Sequence, residues 1–251
     1  MSRLTITAGA ATDVGRVREH NEDAHLVGDR VFAVADGMGG HAAGEVASAL
    51  AVEALARLDE RDPLTPDDVV AGIDQANDDI LASVETHPDR RGMGTTLTGI
   101  ALVEEAGAER WAVFNVGDSR VYRFVGADLE QLTVDHSEVQ ELLDAGLITA
   151  FEAAIHPARN VITRSLGLMS SPDPDVRLHE PGAAEEVFLL CSDGLSNEVG
   201  AGDLAAVLAE ESDPQRAAER LCEAANASGG RDNITVVVVR ARPAADATSP
   251  K

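Results

Sequence analysis

Lysine is all but missing from this 251-residue chain: the single one, Lys251, is the last residue. A Walker-type phosphate loop and a protein-kinase fold are thereby excluded, since both place an internal lysine on nucleotide phosphates. Cysteine is nearly as scarce. Cys191 and Cys222 make no disulfide framework, and Cys191, inside the apolar run VFLLC, reads as a small core residue. Long hydrophobic runs are absent too. No stretch approaches the roughly 18 apolar residues of a membrane span, and no basic-then-apolar secretory pattern opens the chain. The expectation is a cytoplasmic protein with no membrane segment. Positive charge is also short, with 20 Lys and Arg against 44 Asp and Glu, a formal net charge of −24. Such a surface repels nucleic acid and anionic lipid and suits divalent cations.

What is present has the length for a sizeable core, as one large domain or two small ones. Apolar, β-rich runs at 4–7, 24–35, 97–103, 111–116, 121–125, 187–191 and 234–241 read as strands. Helical periodicity fills 44–58, where Val46, Leu50, Ala54 and Leu58 recur every fourth residue. It also fills 66–85, behind the capping signal Thr65, Pro66 and Asp68, with Val69, Ile73, Ile80 and Val84 on one face. A third helix follows Asp213 and Pro214. Strands and helices do not alternate strictly. The expected class is therefore α+β: two antiparallel sheets packed face to face, helices on both outer faces, and a hairpin across VGDSR within 111–125. Residues 135–165, polar and weakly strand-like, form a flap within a domain spanning 1–242. The segment 243–251 is expected to be a flexible tail.

One pattern recurs. VFAVADGMGGH (31–41) runs a buried strand into Asp36-Gly37, and VFLLCSDG (187–194) does the same at Asp193. WAVFNVGDSR (111–120) ends a strand near Asp118, while GGRDNITVVVV (229–239) puts Asp232 just before one. If the last strand runs antiparallel to its partner, these acids gather at one edge of the sandwich. VREHNED adds Arg18 and Glu22, which share a side in an extended chain, with Asp23 opposite. Clustered carboxylates raise one another's pKa and cost stability, so a cluster points to a cation. Oxygen ligands without cysteine or paired histidine favour Mg²⁺ or Mn²⁺ over zinc. A bare Gly37 leaves its carbonyl free to turn toward the ion.

In order along the chain stand Arg18-x-x-x-Glu22-Asp23, Asp36-Gly37-Met38-Gly39-Gly40-His41, Met93-Gly94-Thr95-Thr96, Gly117-Asp118-Ser119-Arg120, Asp193-Gly194-Leu195 and Asp232-Asn233-Ile234-Thr235. This series resembles the metal-dependent serine/threonine protein phosphatases of type 2C, in their compact bacterial form, over about residues 5–240. The resemblance implies hydrolysis of phosphoserine and phosphothreonine in proteins by a water bridging two Mn²⁺ or Mg²⁺ ions. It implies that Asp36 bridges the metals and the Gly37 carbonyl ligates one, while Asp193 and Asp232 hold the other. Glu22 sits close, through water, with Asp23 and Asn233 in support. Arg18 takes the substrate phosphate, and Asp118 with Asp193 holds a third, weaker metal. The implied partners are phosphorylated proteins, serine/threonine kinases and their substrates, met by a monomer in signalling.

One position departs from the animal members, where a histidine follows Asp-Gly as general acid. Met38 stands there, leaving His41 or a metal-bound water for that role. The cysteine-phosphatase route is out, because the arginine it needs six residues beyond the cysteine is replaced by Asn197 and Ser228. A partner-switching phosphatase with one phosphorylated regulator as substrate, and a non-catalytic binding module on the same fold, stay open as alternatives. A nuclease is disfavoured by the negative charge.

Overall fold

A computed structural model describes residues 4–39 and 43–244. Two five-stranded antiparallel sheets make the centre. The first has the order β1 (Leu4–Asp13), β12 (Ile234–Pro243), β11 (Glu186–Cys191), β8 (Arg120–Val125) and β9 (Asp128–Gln131). The second has the order β10 (Asp175–His179), β7 (Ala108–Val116), β6 (Leu97–Glu105), β3 (Val31–Ala35) and β2 (Ala24–Val27). A short ribbon of β4 (Gly37–Met38) and β5 (Gly94–Thr95) stands beside them.

The apolar runs lack alternation because most of these strands are covered on both faces. In β3, Val31, Ala33 and Ala35 pack under α1 (Gly44–Asp59) and α2 (Pro66–Thr86), while Phe32 and Val34 face the other sheet. In β12, Val236 and Val238 pack under α6 (Ala201–Glu210) and α7 (Pro214–Ser228), while Val237 and Val239 point inward. Between the sheets, Trp111 meets Phe188 with ring centroids 5.1 Å apart and planes tilted by 57°. Burying each such ring stabilises the sandwich by roughly 2–3 kcal/mol. The result is the expected four-layer arrangement, with three apolar strata between helix, sheet, sheet and helix.

Local signals explain the helices. Thr65 and Asp68 form a reciprocal capping box at the start of α2, with Pro66 in the first turn, and Asp213 caps α7 ahead of Pro214. In α1 the buried face is Ala47, Ala51, Ala54, Leu55 and Leu58, and Val46 and Leu50 sit at its flank. A strict four-residue spacing drifts around a helix of 3.6 residues per turn, and the small alanines let α1 lie close on β3.

Several expectations need correction. The run 24–35 is two strands, β2 and β3, joined by a turn. The hairpin across VGDSR does not form, since β7 pairs with β6 and β10, and β8 pairs with β11 and β9. The segment between them crosses from one sheet to the other, and Gly117 makes the crossing with φ +111°. The flap is not strand-like: it carries α3 (Glu138–Asp144) and α4 (Ala150–Ala154), capped by Ser137 and Thr149. Thr149 and Glu152 form a capping box that polar composition concealed. β12 extends through Pro243, and the tail from residue 245 lies outside the described residues.

Candidate metal centre

The carboxylates singled out above stand at strand termini, with Asp36, Asp118 and Asp193 after a strand and Glu22, Asp23 and Asp232 just before one. Asp36 follows β3, and its main chain is fully committed. Its N–H donates to Thr96 Oγ1 (3.0 Å), and its carbonyl accepts from the Thr96 N–H (2.9 Å) and the Thr95 hydroxyl (2.9 Å). Gly37 comes next, and its N–H donates to the Glu22 carbonyl at 3.2 Å. A Cβ at Gly37 would lie 2.3 Å from the Gly44 carbonyl oxygen and 2.4 Å from that of Glu22. Glycine is therefore required by the close approach of two other backbones, a reason the sequence did not disclose. Gly44 answers from the other side, where a Cβ would lie 2.9 Å from Gly37.

Arg18, Glu22 and Asp23 lie in an irregular loop between β1 and β2, so the extended-chain argument for their facing fails. Asn233 organises that loop instead. Its Oδ1 accepts from the Glu22 N–H (2.9 Å), and its Nδ2 donates to the carbonyls of Val14 (3.0 Å) and His20 (2.9 Å). The Ser48 hydroxyl, from α1, donates to the Glu22 carbonyl at 2.6 Å. Arg18 reaches the edge by donating to Asp232 Oδ2 at 2.7 Å.

Cys191, at the end of β11, pairs with Val236 near the start of β12, and the antiparallel register sets Asp193 beside Asp232. Asp193 opens the short helix α5 (Asp193–Ser196). A Cβ at Gly194 would lie 2.0 Å from the Asn233 carbonyl oxygen, so this turn also depends on glycine. Asp118 sits in the crossover between β7 and β8.

The electrostatics show that these groups act on one another. Burial, then the charges of Asp23, Asp193, Asp118 and Asp232, holds the Asp36 carboxyl well above the usual carboxylate range. Burial pushes Asp23 up to about 7, reinforced by Asp193 and Asp232, with the hydroxyls of Thr235 and Ser192 working the other way. Asp118 is pushed up to about 7 by burial and by Asp193 and Asp135. Asp193 rises to about 6 through burial and Asp232, moderated by Arg18 and by a hydrogen bond with Asp36. Glu22 is raised by burial and by Glu45.

Few donors offset this crowding. Ser192 Oγ donates to Asp23 Oδ2 at 2.8 Å, whereas Asp23 Oδ1 is sealed from solvent with no hydrogen-bond partner among the described residues. Among the described residues no three acidic, histidine or cysteine side chains already close into a cage. Asp232 turns to Arg18, and Asp193 accepts from Asn197 Nδ2 at 3.0 Å. The donors on offer are carboxylate oxygens, the Gly37 carbonyl and one orphaned oxygen, a set that fits a hard divalent cation.

A cleft of about 780 Å³ runs from Asp118, Asp193 and Asp232 toward Leu143 and Ala153 of the flap. Met38 pairs with Gly94 in the small ribbon, and His41 lies outside the described residues. Sequence reasoning missed the supports: Thr95 and Thr96 under Asp36, Ser192 under Asp23, and Asp135, which holds Arg120 with two bonds of 2.9 and 2.6 Å. The threonines and Arg120 lay inside quoted motifs. Ser192 carried no signal.

Known proteins share this fold. The protein phosphatase 2C family model matches residues 15–233. The serine/threonine protein phosphatase PstP of Mycobacterium tuberculosis is 43% identical over 244 residues, covering 95% of this chain and 46% of that protein. The chain thus spans about half the length of that relative. The serine/threonine phosphatase stp of Listeria monocytogenes is 38% identical over 239 residues, covering 91% of this chain and 93% of that protein. A solved structure of the PstP catalytic domain in complex with two manganese ions superposes with a TM-score of 0.84 at 40% identity, covering 95% of this chain and 99% of that one. Matched by the family model over most of its length, and similar to these phosphatases across the whole sandwich, the chain belongs to the protein phosphatase 2C family.

Proposed function

We propose that this chain hydrolyses phosphoserine and phosphothreonine in proteins with the help of two divalent cations. The observation that carries the reading is the crowding of Asp36, Asp23, Asp193, Asp118 and Asp232 at one sandwich edge, where burial and neighbouring carboxylates raise Asp36, Asp23, Asp118 and Asp193 together. Asp36, the Gly37 carbonyl, Asp193 and Asp232 would hold two Mn²⁺ or Mg²⁺ ions. Glu22 would contribute through water, and Asp118 with Asp193 would hold a third ion more loosely. The two manganese ions of the PstP catalytic domain support the count and the metal. Bound there, the ions supply Lewis acidity toward a phosphate monoester and lower the pKa of water.

The chain's own residues do the rest. Thr95 and Thr96 fix the main chain of Asp36, so its carboxylate is aimed before any ligand arrives. Asn233 holds the loop that presents Arg18. The Arg18 side chain is 52% exposed and, among the described residues, bound only to Asp232, so its fork can exchange that contact for phosphate oxygens. The cleft beneath the flap has room for the peptide around the phosphorylated residue. His41 remains a candidate general acid. The partners proposed are serine/threonine kinases and their substrates, met in signalling by a cytoplasmic monomer. Among the described residues no helix is long and apolar enough to cross a membrane.

The test is hydrolysis of p-nitrophenyl phosphate and of a phosphothreonine peptide by chelator-stripped protein, with Mn²⁺ or Mg²⁺ added back. Activity should vanish with chelator and return with metal. Full activity after exhaustive chelation, or none with either metal, would overturn the proposal.

A further inference from the structure

Asp118 is preceded by the most permissive residue a chain can offer. Gly117 adopts φ +111°, and nothing intrinsic to a glycine fixes the two peptide planes around it. Both planes are nevertheless gripped, by one residue. The Gly117 N–H donates to His136 Nδ1 at 3.1 Å, and the His136 N–H donates back to the Gly117 carbonyl at 2.9 Å. Asn115 Nδ2 donates to the same carbonyl at 3.0 Å. The ring of His136 is only 6% exposed. An accepting Nδ1 leaves the proton on Nε2, the edge that faces Arg164 and Asp175.

The neighbouring residue closes the other side of the turn. Asp135 takes the guanidinium of Arg120, two residues beyond Asp118, in a bidentate pair. The His136 carbonyl in turn accepts from the Thr163 N–H at 2.8 Å, which roots the clamp at the point where the flap leaves.

We infer that His136 is a positioning residue for Asp118: its ring nitrogen and main chain lock the peptides on both sides of Gly117, and so set the direction of the Asp118 carboxylate. The inference rests on Asp118 being the ligand of the loosely held third cation. His136 touches neither substrate nor metal. It acts through the turn.

The test compares wild type, Asp118→Ala, His136→Ala and His136→Asn. Asparagine places an Oδ1 acceptor the same number of bonds from the backbone as histidine Nδ1, so it can still receive the Gly117 N–H. Binding of Mn²⁺ to metal-stripped protein is followed by the electron paramagnetic resonance signal of free Mn²⁺, beside melting temperature and the Mn²⁺ concentration for half-maximal hydrolysis of p-nitrophenyl phosphate. Asp118→Ala should remove the weak class of sites and keep the tight one. His136→Ala should weaken the weak class about tenfold, as loss of an orienting partner does, and leave the tight class within about twofold. His136→Asn should restore the weak class.

Unchanged weak binding in His136→Ala, beside its loss in Asp118→Ala, would overturn the inference alone. Weak binding retained in Asp118→Ala would overturn the ligand assignment and the inference with it. Equal loss of both classes in His136→Ala, tracking a fall in melting temperature, would show a merely structural histidine. Should His136→Ala fail to fold, His136→Gln, whose acceptor sits one carbon further out, takes its place with the same expected loss.

Discussion

The two ends of β3 carry aspartates in opposite circumstances. At its start, Asp59 from the end of α1 accepts the N–H groups of Asp29 (2.8 Å), Arg30 (2.7 Å) and Val31 (2.9 Å). Gly28 makes room for that carboxylate, since a Cβ there would lie 2.7 Å from it. At the other end, Asp36 feels the charges of four further carboxylates, and one oxygen of Asp23 finds no donor among the described residues. The strand and the residue type are the same. The difference is the supply of donors. An aspartate ringed by N–H groups is satisfied as an anion and serves the fold, whereas acids crowded without donors call for protons or a cation and serve chemistry.

The widest separation between the two ends should appear in turnover. Asp36→Asn removes a charge from the cation site and should lower kcat by on the order of 10³-fold or more, while Asp59→Asn keeps kcat per folded molecule. Steady-state kinetics on protein of measured folded fraction checks both. Arg18→Ala belongs to the chemical end but acts on binding, raising KM for a phosphothreonine peptide by up to about 3 kcal/mol, or ~100-fold, with a smaller change in kcat. A loss confined to kcat would remove Arg18 from phosphate binding. At the structural end, Asp59→Ala strands three N–H groups and should cost about 2–3 kcal/mol, measured by urea unfolding. Asp118→Ala should lower activity on a phosphoprotein about tenfold and leave the melting temperature nearly unchanged, because a group that spends its burial opposed by Asp193 and Asp135 contributes little to the fold.

The smallest effect is in pH. Asp23 and Asp118 near 7 and Asp193 near 6 lie above the ordinary carboxylate value, so the folded state keeps protons that the unfolded chain releases. Stability of the metal-stripped protein should therefore fall as pH rises from about 4 through about 7, read as a falling melting temperature. Added Mn²⁺ should flatten that slope by displacing the protons. A melting temperature that rises with pH over this range in chelator would show these acids to be satisfied as anions after all.

Much of the candidate site's geometry was legible because its elements announce themselves locally. A five-residue apolar run leads into Asp-Gly before Asp36 and, with Ser192 between, before Asp193, and antiparallel pairing of neighbours at the end of the chain brings in Asp232. The capping boxes and the double-sided burial of β3 and β12 follow from short windows in the same way. What stayed hidden depends on contacts between distant segments. Gly-Asp between two apolar runs favours a hairpin locally, yet Val116 pairs with Leu97 and Val121 with Leu190, in different sheets. No window holding only 111–125 contains those partners. The same holds for Gly37, whose side chain is forbidden by the backbones of Glu22 and Gly44, and for Ser192, an unmarked residue whose hydroxyl meets Asp23 across 169 positions of chain.

The most direct measurement is the melting temperature at pH 7.5 of wild type, Asp36→Asn and Asp59→Asn, each in chelator and in Mn²⁺. If the Asp36 end is built around a cation, Asp36→Asn relieves like-charge crowding, melts higher than wild type in chelator, and loses most of the rise that Mn²⁺ gives wild type. Asp59→Asn should melt lower in both conditions and keep that rise. An Asp36→Asn protein that melts lower than wild type in chelator and retains the full Mn²⁺ increment would show that Asp36 holds the fold together rather than a metal.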